Sequence, residues 1–370
     1  MELTDPGIIV VLVVVALALF ALVVIGWPHW GGRLARGAVR GGQVLLLNVI
    51  VVALAGVALN DQYLFYSSWS DLFGSRSSEV QLHHGGGVKQ VVEAKVVGPG
   101  LQDVGGHPNY RLPQPVSRLQ TFTVADPRSG AAGQVLVYLP AGYNPASSRT
   151  YPVMIGLHGF PSSPTRFTHL NFLPTADLLA AQHRLASTIF VMPRIDTPAT
   201  LDTECVNGPP GTPQTDTWLS RDLPAWIVKH LHVRRDRLSW AVMGYSYGAW
   251  CAASLSMRHP DVFGASIVLQ GYFRPDFSAA YDPLTSAGTE AYDLIRIARS
   301  APPPLAMYVL TSRQDQLSYP STSKFLSVAK SPLDVSGVVL ATGGHRDQVW
   351  EPYVPQAFTW LGQTLPGFRG

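Results

Sequence analysis

The stretch GYSYG, Gly244 to Gly248, places one hydroxyl, that of Ser246, between two glycines. A hydroxyl attacks an acyl carbon only when a base takes its proton and donors hold the oxyanion that forms. In a chain with 34 glycines the five-residue pattern alone is weak, and its setting is what gives it weight. The apolar run SWAVM ends directly at Gly244, and the small-residue helical pattern AWCAASLSMRH begins directly after Gly248. Strand, tight turn and helix in that order make an elbow that lifts a serine above the carboxyl edge of a sheet. Glycines are needed there because side chains would strike the neighbouring strand and helix. The plain alternative is a turn serine.

A serine nucleophile needs a histidine held by a carboxylate, and behind such an elbow the chain order is serine, acid, histidine. Only His259 and His345 follow Ser246. His259 closes the elbow helix, where a histidine suits a cap. His345 stands in the glycine loop ATGGHRD after the run SGVVLA, and is the expected base. Asp315, just past the run LAMYVLT, is the expected acid; Asp334 precedes a run, belongs to the opposite sheet edge, and is the second choice. The oxyanion donors expected are the amide of Tyr247, next after the nucleophile, and that of Phe160 in the loop MIGLHGFPSS. His158 in that loop is either a substrate contact or a loop-ordering hydrogen-bond partner. Tyr245, Trp250 and Tyr272, with Phe273, are candidates for an apolar acyl slot or for plain core.

No cofactor is implied. His83 and His84 lie in a Gly-rich stretch with no third ligand nearby, so no metal is assigned. The two cysteines, Cys205 and Cys251, fall on a long loop and on the elbow helix, both expected over the same end of the sheet. A bridge between them would close a loop worth about 4 kcal/mol in the chain-entropy model. Two separate buried thiols are the other reading.

These groups need a scaffold, and the sequence from Arg118 onward supplies one. Apolar runs LQTFTVA, QVLVYLP, PVMIGLH, STIFVMP, SWAVMG, ASIVLQ, LAMYVLT and SGVVLA alternate with helical patterns near 175–183, 218–232, 247–258, 290–299, 321–329 and 353–361. Continuous apolar runs fit strands covered on both faces, and the alternation predicts an α/β fold with a mostly parallel sheet between helical layers.

Together these residues resemble the esterase D-like (Putative esterase) family of α/β-hydrolases, which includes the secreted mycolyltransferases of the actinobacterial envelope. The likeness runs from about Arg118 to Leu361. It rests on the elbow at Gly244–Gly248, the oxyanion loop at Leu157–Phe160, the histidine loop at Gly343–His345 and the acid position at Asp315. The resemblance implies ester chemistry through an acyl-enzyme, on an ester or acyl-lipid substrate. The mycolyltransferases carry an acidic residue where His158 stands and a glutamate where Asp315 stands. Aromatic residues follow their histidine closely, whereas Arg346 and Asp347 intervene here before Trp350. Mycolate transfer to trehalose is therefore not carried over.

The rest of the chain points to a membrane. Its 370 residues hold one large domain plus a smaller part, and charged residues make up only 14% against a hydrophobic share of 46%. Residues 7–26 form an uncharged run of bilayer-spanning length, and residues 44–59 a shorter one bearing Asn48, which close packing at Ala53, Gly56 and Ala58 would shield. Glu2 and Asp5 before the first run, and the lack of a small-residue cleavage site after it, favour an anchor over a cleaved signal peptide. Arg33, Arg36 and Arg40 between the runs place that loop in the cytoplasm. The expectation is a multi-pass plasma-membrane protein: a hairpin over 1–66, a Ser/Gly/Pro-rich stalk over 67–117, and an extracytoplasmic α/β-hydrolase domain over 118–370. A cytosolic catalytic domain is the alternative. A net charge of +3 without basic blocks in the later two thirds gives no phosphate-tracking surface, so no nucleic-acid partner is expected. Three functions stay open: serine carboxylesterase, acyltransferase to an envelope sugar or lipid, and catalytically silent scaffold.

Overall fold

The computed structural model describes residues 5–26, 33–63, 65–74, 78–85, 87–102, 104–105, 118–125, 129–197, 201–278 and 281–370. The chain divides into two compact units. One comprises Met1–Ser78 with the short segments Arg313–Gln316 and Ala341–Arg346; the other comprises Glu79–Ser312, Leu317–Leu340 and Asp347–Gly370.

The larger unit is built on one sheet. Its strands are β1 (Glu79–His84), β2 (Leu119–Ala125), β3 (Ala132–Tyr138), β4 (Val153–Leu157), β5 (Ile189–Pro193), β6 (Trp240–Tyr245), β7 (Ala265–Leu269), β8 (Ala306–Ser312) and β9 (Asp334–Leu340). They lie in the order β1-β9-β8-β7-β6-β4-β5-β3-β2. The run from β5 through β4, β6, β7 and β8 to β9 is parallel; β1 pairs antiparallel with β9, and β3 and β2 close the other edge antiparallel. Side chains alternate across each strand: Val153 and Ile155 of β4 join one core, Met154 the other, and Val242 of β6 opposes Ala241 and Met243. Both faces are therefore buried, which is why these strands read as unbroken apolar runs. All eight expected runs are strands of this sheet, and the expected elbow helix is Tyr247–Arg258.

The stalk reading needs correction. Within 67–117, residues Glu79–His84 form the edge strand β1 and Val88–Glu93 a short helix; residues 106–117 lie outside the described residues. The segment EVQLHH escapes a hydrophobicity reading because an edge strand leaves its side chains largely exposed, and all but the last of the six are. His83, from that strand, sets its Nε2 3.1 Å from Asp334 Oδ1.

In the smaller unit two helices, Pro6–Gly26 and Arg33–Tyr63, pack along each other, and both are long and apolar enough to cross a membrane. Neither apolar stretch is buried within the protein, which sets them apart from core helices of a soluble domain. Asn48 meets its need within its own helix, its amide donating to the Val44 carbonyl one turn back (2.8 Å).

Candidate active site

Where β6 ends, Ser246 adopts φ 56° and ψ −127°, a backbone region closed to most L-residues that costs on the order of 1–3 kcal/mol. Its surroundings over-determine this geometry. The Ser246 amide donates to the Leu269 carbonyl (3.0 Å), and its carbonyl accepts from Ala249 (2.9 Å) and Trp250 (3.2 Å) as the helix starts. A Cβ on Gly244 would sit 2.1 Å from the Gly248 oxygen, and one on Gly248 would sit 2.1 Å from the Leu157 oxygen. Both glycines are therefore sterically required. Ser246 keeps part of its surface open to solvent.

Tyr247 is the first residue of the elbow helix, so its N–H has no acceptor within the helix and points out of its positive end. The loop after β4 passes beside it. Gly159 is close enough that an added Cβ would lie 3.5 Å from the Ser246 Cβ, and the Phe160 ring packs edge-on against the Tyr247 ring with centroids 5.9 Å apart. The loop and the helix start that carry the expected oxyanion donors are thus neighbours.

His158 in that loop has no exposed surface. One ring nitrogen faces the Gly159 carbonyl (Nδ1, 2.7 Å), which can only accept; the other faces the Ile195 amide (Nε2, 3.2 Å), which can only donate. The ring is therefore the Nδ1–H tautomer, and burial holds its pKa below the ordinary histidine range. Of its two readings, His158 fills the loop-ordering one. The ring presents no exposed edge.

The expected acyl-slot aromatics separate. Trp250 is fully buried, donates from Nε1 to the Glu204 carbonyl (2.9 Å) and stacks behind Tyr272 (5.7 Å, 5°). Tyr245 stacks on Trp350 (5.0 Å) in an aromatic core with Phe167 and Phe172. Tyr272 lines a cavity of about 300 Å³ with Ile295, Leu317 and Pro320, to which Arg274, Lys324 and Asp276 add charges of both signs.

Sequence reading missed Glu204. It is buried, accepts from the Tyr272 hydroxyl (2.6 Å) and the Asp276 amide (3.2 Å), and burial pushes its pKa well above the ordinary carboxyl range. A loop glutamate between Thr203 and Cys205 carries no local sign of such burial. Cys205, next to it, is joined to Cys251 of the elbow helix, with Cα atoms 5.5 Å apart, so the loop is pinned to that helix.

The smaller unit holds the other two expected residues, on loops that directly continue β8 and β9. His345 Nδ1 lies 2.9 Å from Asp315 Oδ2, the carboxylate almost fully buried and the imidazole partly open. A carboxylate accepts, so Nδ1 carries the proton and Nε2 is the basic atom of the neutral ring. Gly343, two residues before the histidine, has φ 126°, a conformation only glycine takes readily. Asp334, the other acid candidate, begins β9 at its amino end and pairs with His83 and the Gly87 amide. His259 binds Asp216, which also takes Tyr292 and Arg258, so it closes the elbow helix as a structural group.

The family described as "Putative esterase" matches residues 128–359. An uncharacterized protein of Corynebacterium glutamicum is 26% identical over 265 residues, 65% of this chain and 60% of that protein. The chain thus matches less than two thirds of that relative's length. Among solved structures, a ferulic acid esterase superposes with TM-score 0.55 at 19% identity, covering 67% of this chain and 98% of the other. The S-formylglutathione hydrolase of Agrobacterium tumefaciens does so with TM-score 0.56 at 15% identity, covering 67% and 95%. At these identities the likeness is one of fold.

Proposed function

The chain belongs to the Putative esterase family of α/β-hydrolases, and from that premise we propose that it is a membrane-anchored serine carboxylesterase whose Ser246, His345 and Asp315 act as one triad. The observation that carries this reading is the strained backbone of Ser246, a conformation that two obligatory glycines maintain and that a turn serine has no need of. Strand direction supports the rest. β6, β8 and β9 are parallel, so Ser246, Asp315 and His345 each follow the carboxyl end of a strand of the same sheet.

In this reading Nε2 of His345 removes the Ser246 hydroxyl proton as Oγ bonds to the ester carbonyl carbon. The negative charge moves to the carbonyl oxygen, where the amides of Tyr247 and Phe160 donate to it. The tetrahedral intermediate collapses, the C–O bond to the alcohol breaks, and Nε2 returns the proton to the departing oxygen. Water then repeats the sequence on the acyl-enzyme, releasing the acid and restoring the serine. Asp315 holds the Nδ1–H tautomer and steadies the imidazolium throughout. The cavity beside Tyr272 suits the acyl chain, with Ile295, Leu317 and Pro320 as its apolar wall.

Residues 1–66 serve as the anchor, and the hydrolase domain is 118–370 with β1 added to its sheet edge. An extracytoplasmic domain fits two features: the arginines Arg33, Arg36 and Arg40, which precede the second apolar run in the first turns of its helix, and a disulfide, which persists outside the cytosol.

Full-length protein in nanodiscs, offered a series of acyl esters with and without an added polyol, tests the reading. Ester cleavage should fall by at least about 1,000-fold in Ser246→Ala. The product with polyol present separates the two enzyme readings: free acid marks an esterase, acylated polyol an acyltransferase. Cleavage that survives Ser246→Ala would end both.

A further inference from the structure

The loop that carries His345 contains no strand or helix, yet one side chain holds it on both sides of the histidine, through the main chain before it and through a side chain after it. Asp71 lies in a short helical turn, Trp69–Leu72, that follows the second apolar helix. Its buried carboxylate accepts from the Gly344 amide, just before the histidine (Oδ2, 2.9 Å). It also takes a forked pair of bonds from Arg346, just after it: Nη1 to Oδ2 at 2.7 Å and Nη2 to Oδ1 at 2.6 Å. The Ser67 amide adds a further donor at 3.0 Å. Burial alone would raise this carboxyl's pKa, but the bonds from Arg346, Ser67 and Gly344 outweigh it and hold the group charged.

Other parts of the same segment complete the hold. The Arg346 guanidinium also donates to the Phe65 carbonyl (2.7 Å) and lies over the Tyr66 ring, 4.4 Å from its centroid. The acid loop is tied in through Gln314, whose Oε1 accepts from the Ser67 hydroxyl (2.7 Å) and the Gly343 amide (3.3 Å). At its other end the segment is stapled to the membrane helix. Asn60 exchanges two hydrogen bonds with the backbone of Tyr66, at 2.8 and 2.9 Å.

We propose that Asp71 is a positioning residue for the reaction, setting the imidazole of His345 through Gly344 and Arg346, so that the stretch leaving the second apolar helix is part of the catalytic machinery. This rests on the triad reading of His345. A forked, multiply bonded carboxylate costs more to desolvate than it needs to if its task is only to hold a loop down, since apolar packing does that as well. What the fork supplies is a fixed direction, on both sides of a residue whose ring must be placed to within a fraction of an ångström.

Full-length protein in detergent, assayed with a soluble ester, carries the test. Asp71→Asn should lower kcat about 10- to 100-fold while KM stays within about twofold, the signature of a misplaced base with intact substrate binding. The pH profile gives a second readout. Asp315 at Nδ1, Arg346 next in the chain and Asp71 beyond it are the charges bonded to this loop; Arg313 precedes the acid by two residues, and Asp347, which follows Arg346, is paired with Arg166. Removing the Asp71 charge leaves Arg346 uncompensated and disfavours the imidazolium. His345 acts as base only when unprotonated, so the acidic midpoint of kcat/KM moves to lower pH. Arg346→Met leaves Asp71 uncompensated and moves the midpoint to higher pH. Arg346→Lys returns the midpoint to the wild-type value while kcat stays reduced, because an ammonium cannot fork. If Asp71→Asn does not fold, the two Arg346 variants give the same readout.

Unchanged kcat in Asp71→Asn, or reduced kcat with both midpoints at the wild-type pH, would overturn the proposal by reducing Asp71 to a fold-holding role. His345→Ala is the separate control. Turnover that survives it removes the triad reading and this proposal together. Turnover lost in His345→Ala and intact in Asp71→Asn removes the proposal alone.

Discussion

Around Ser246 the holding is done by backbone, over a short span of chain and a few neighbouring strands. The elbow turns because Gly244 and Gly248 admit main-chain oxygens where a Cβ would collide, and the helix that follows is buried from Tyr247 to Met257. Around His345 the holding is done by side chains from far along the chain. Asp71 and Gly344 are 273 residues apart, Ser67 and Gln314 are 247 apart, and neither loop has regular structure at the residues these bonds fix. Sterically determined backbone is stiff and tolerates no added atom. A loop set by a few polar bonds tolerates substitution but shifts when one is lost, and a shift of an ångström is felt in turnover before it is felt in stability.

That contrast can be broken from either side. Gly248→Ala drives a methyl into the Leu157 carbonyl and should cost about 3 kcal/mol of stability, seen as a lowered denaturation midpoint or loss of soluble protein. Wild-type stability in that variant would mean the elbow relaxes as freely as a loop. Gln314→Ala removes the acceptor that the Ser67 hydroxyl and the Gly343 amide share, and should cost only about 1 kcal/mol. Its larger effect is expected on kcat, with KM near wild type. A stability loss as great as that of Gly248→Ala, with turnover unaffected, would erase the distinction.

The same contrast explains what could be read from sequence. Strands buried on both faces announce themselves, so the runs from LQTFTVA to SGVVLA were legible, and the elbow was legible because sterics confine it to a few consecutive residues. The pairing of His345 with Asp315 followed from chain order behind the elbow. Strand β1 was hidden by its exposure. For Trp250 and His158 the choice between ligand contact and core stayed open, because residue type and proximity to the elbow do not reveal depth; both are fully buried. Asp71 fell in a stretch whose Ser, Gly and Pro content suggests a stalk, and its partner loop lies near the other end of the chain. No periodicity or local motif records a bond of that length.

The whole reaction depends on Ser246 being an activated nucleophile. Folded full-length protein treated with a fluorophosphonate probe, then digested and mapped by mass spectrometry, tests it most directly. One adduct is expected, on the Ser246 oxygen, absent in Ser246→Ala and strongly slowed in His345→Ala. An unmodified Ser246, or an adduct on another serine that persists in Ser246→Ala, would contradict it.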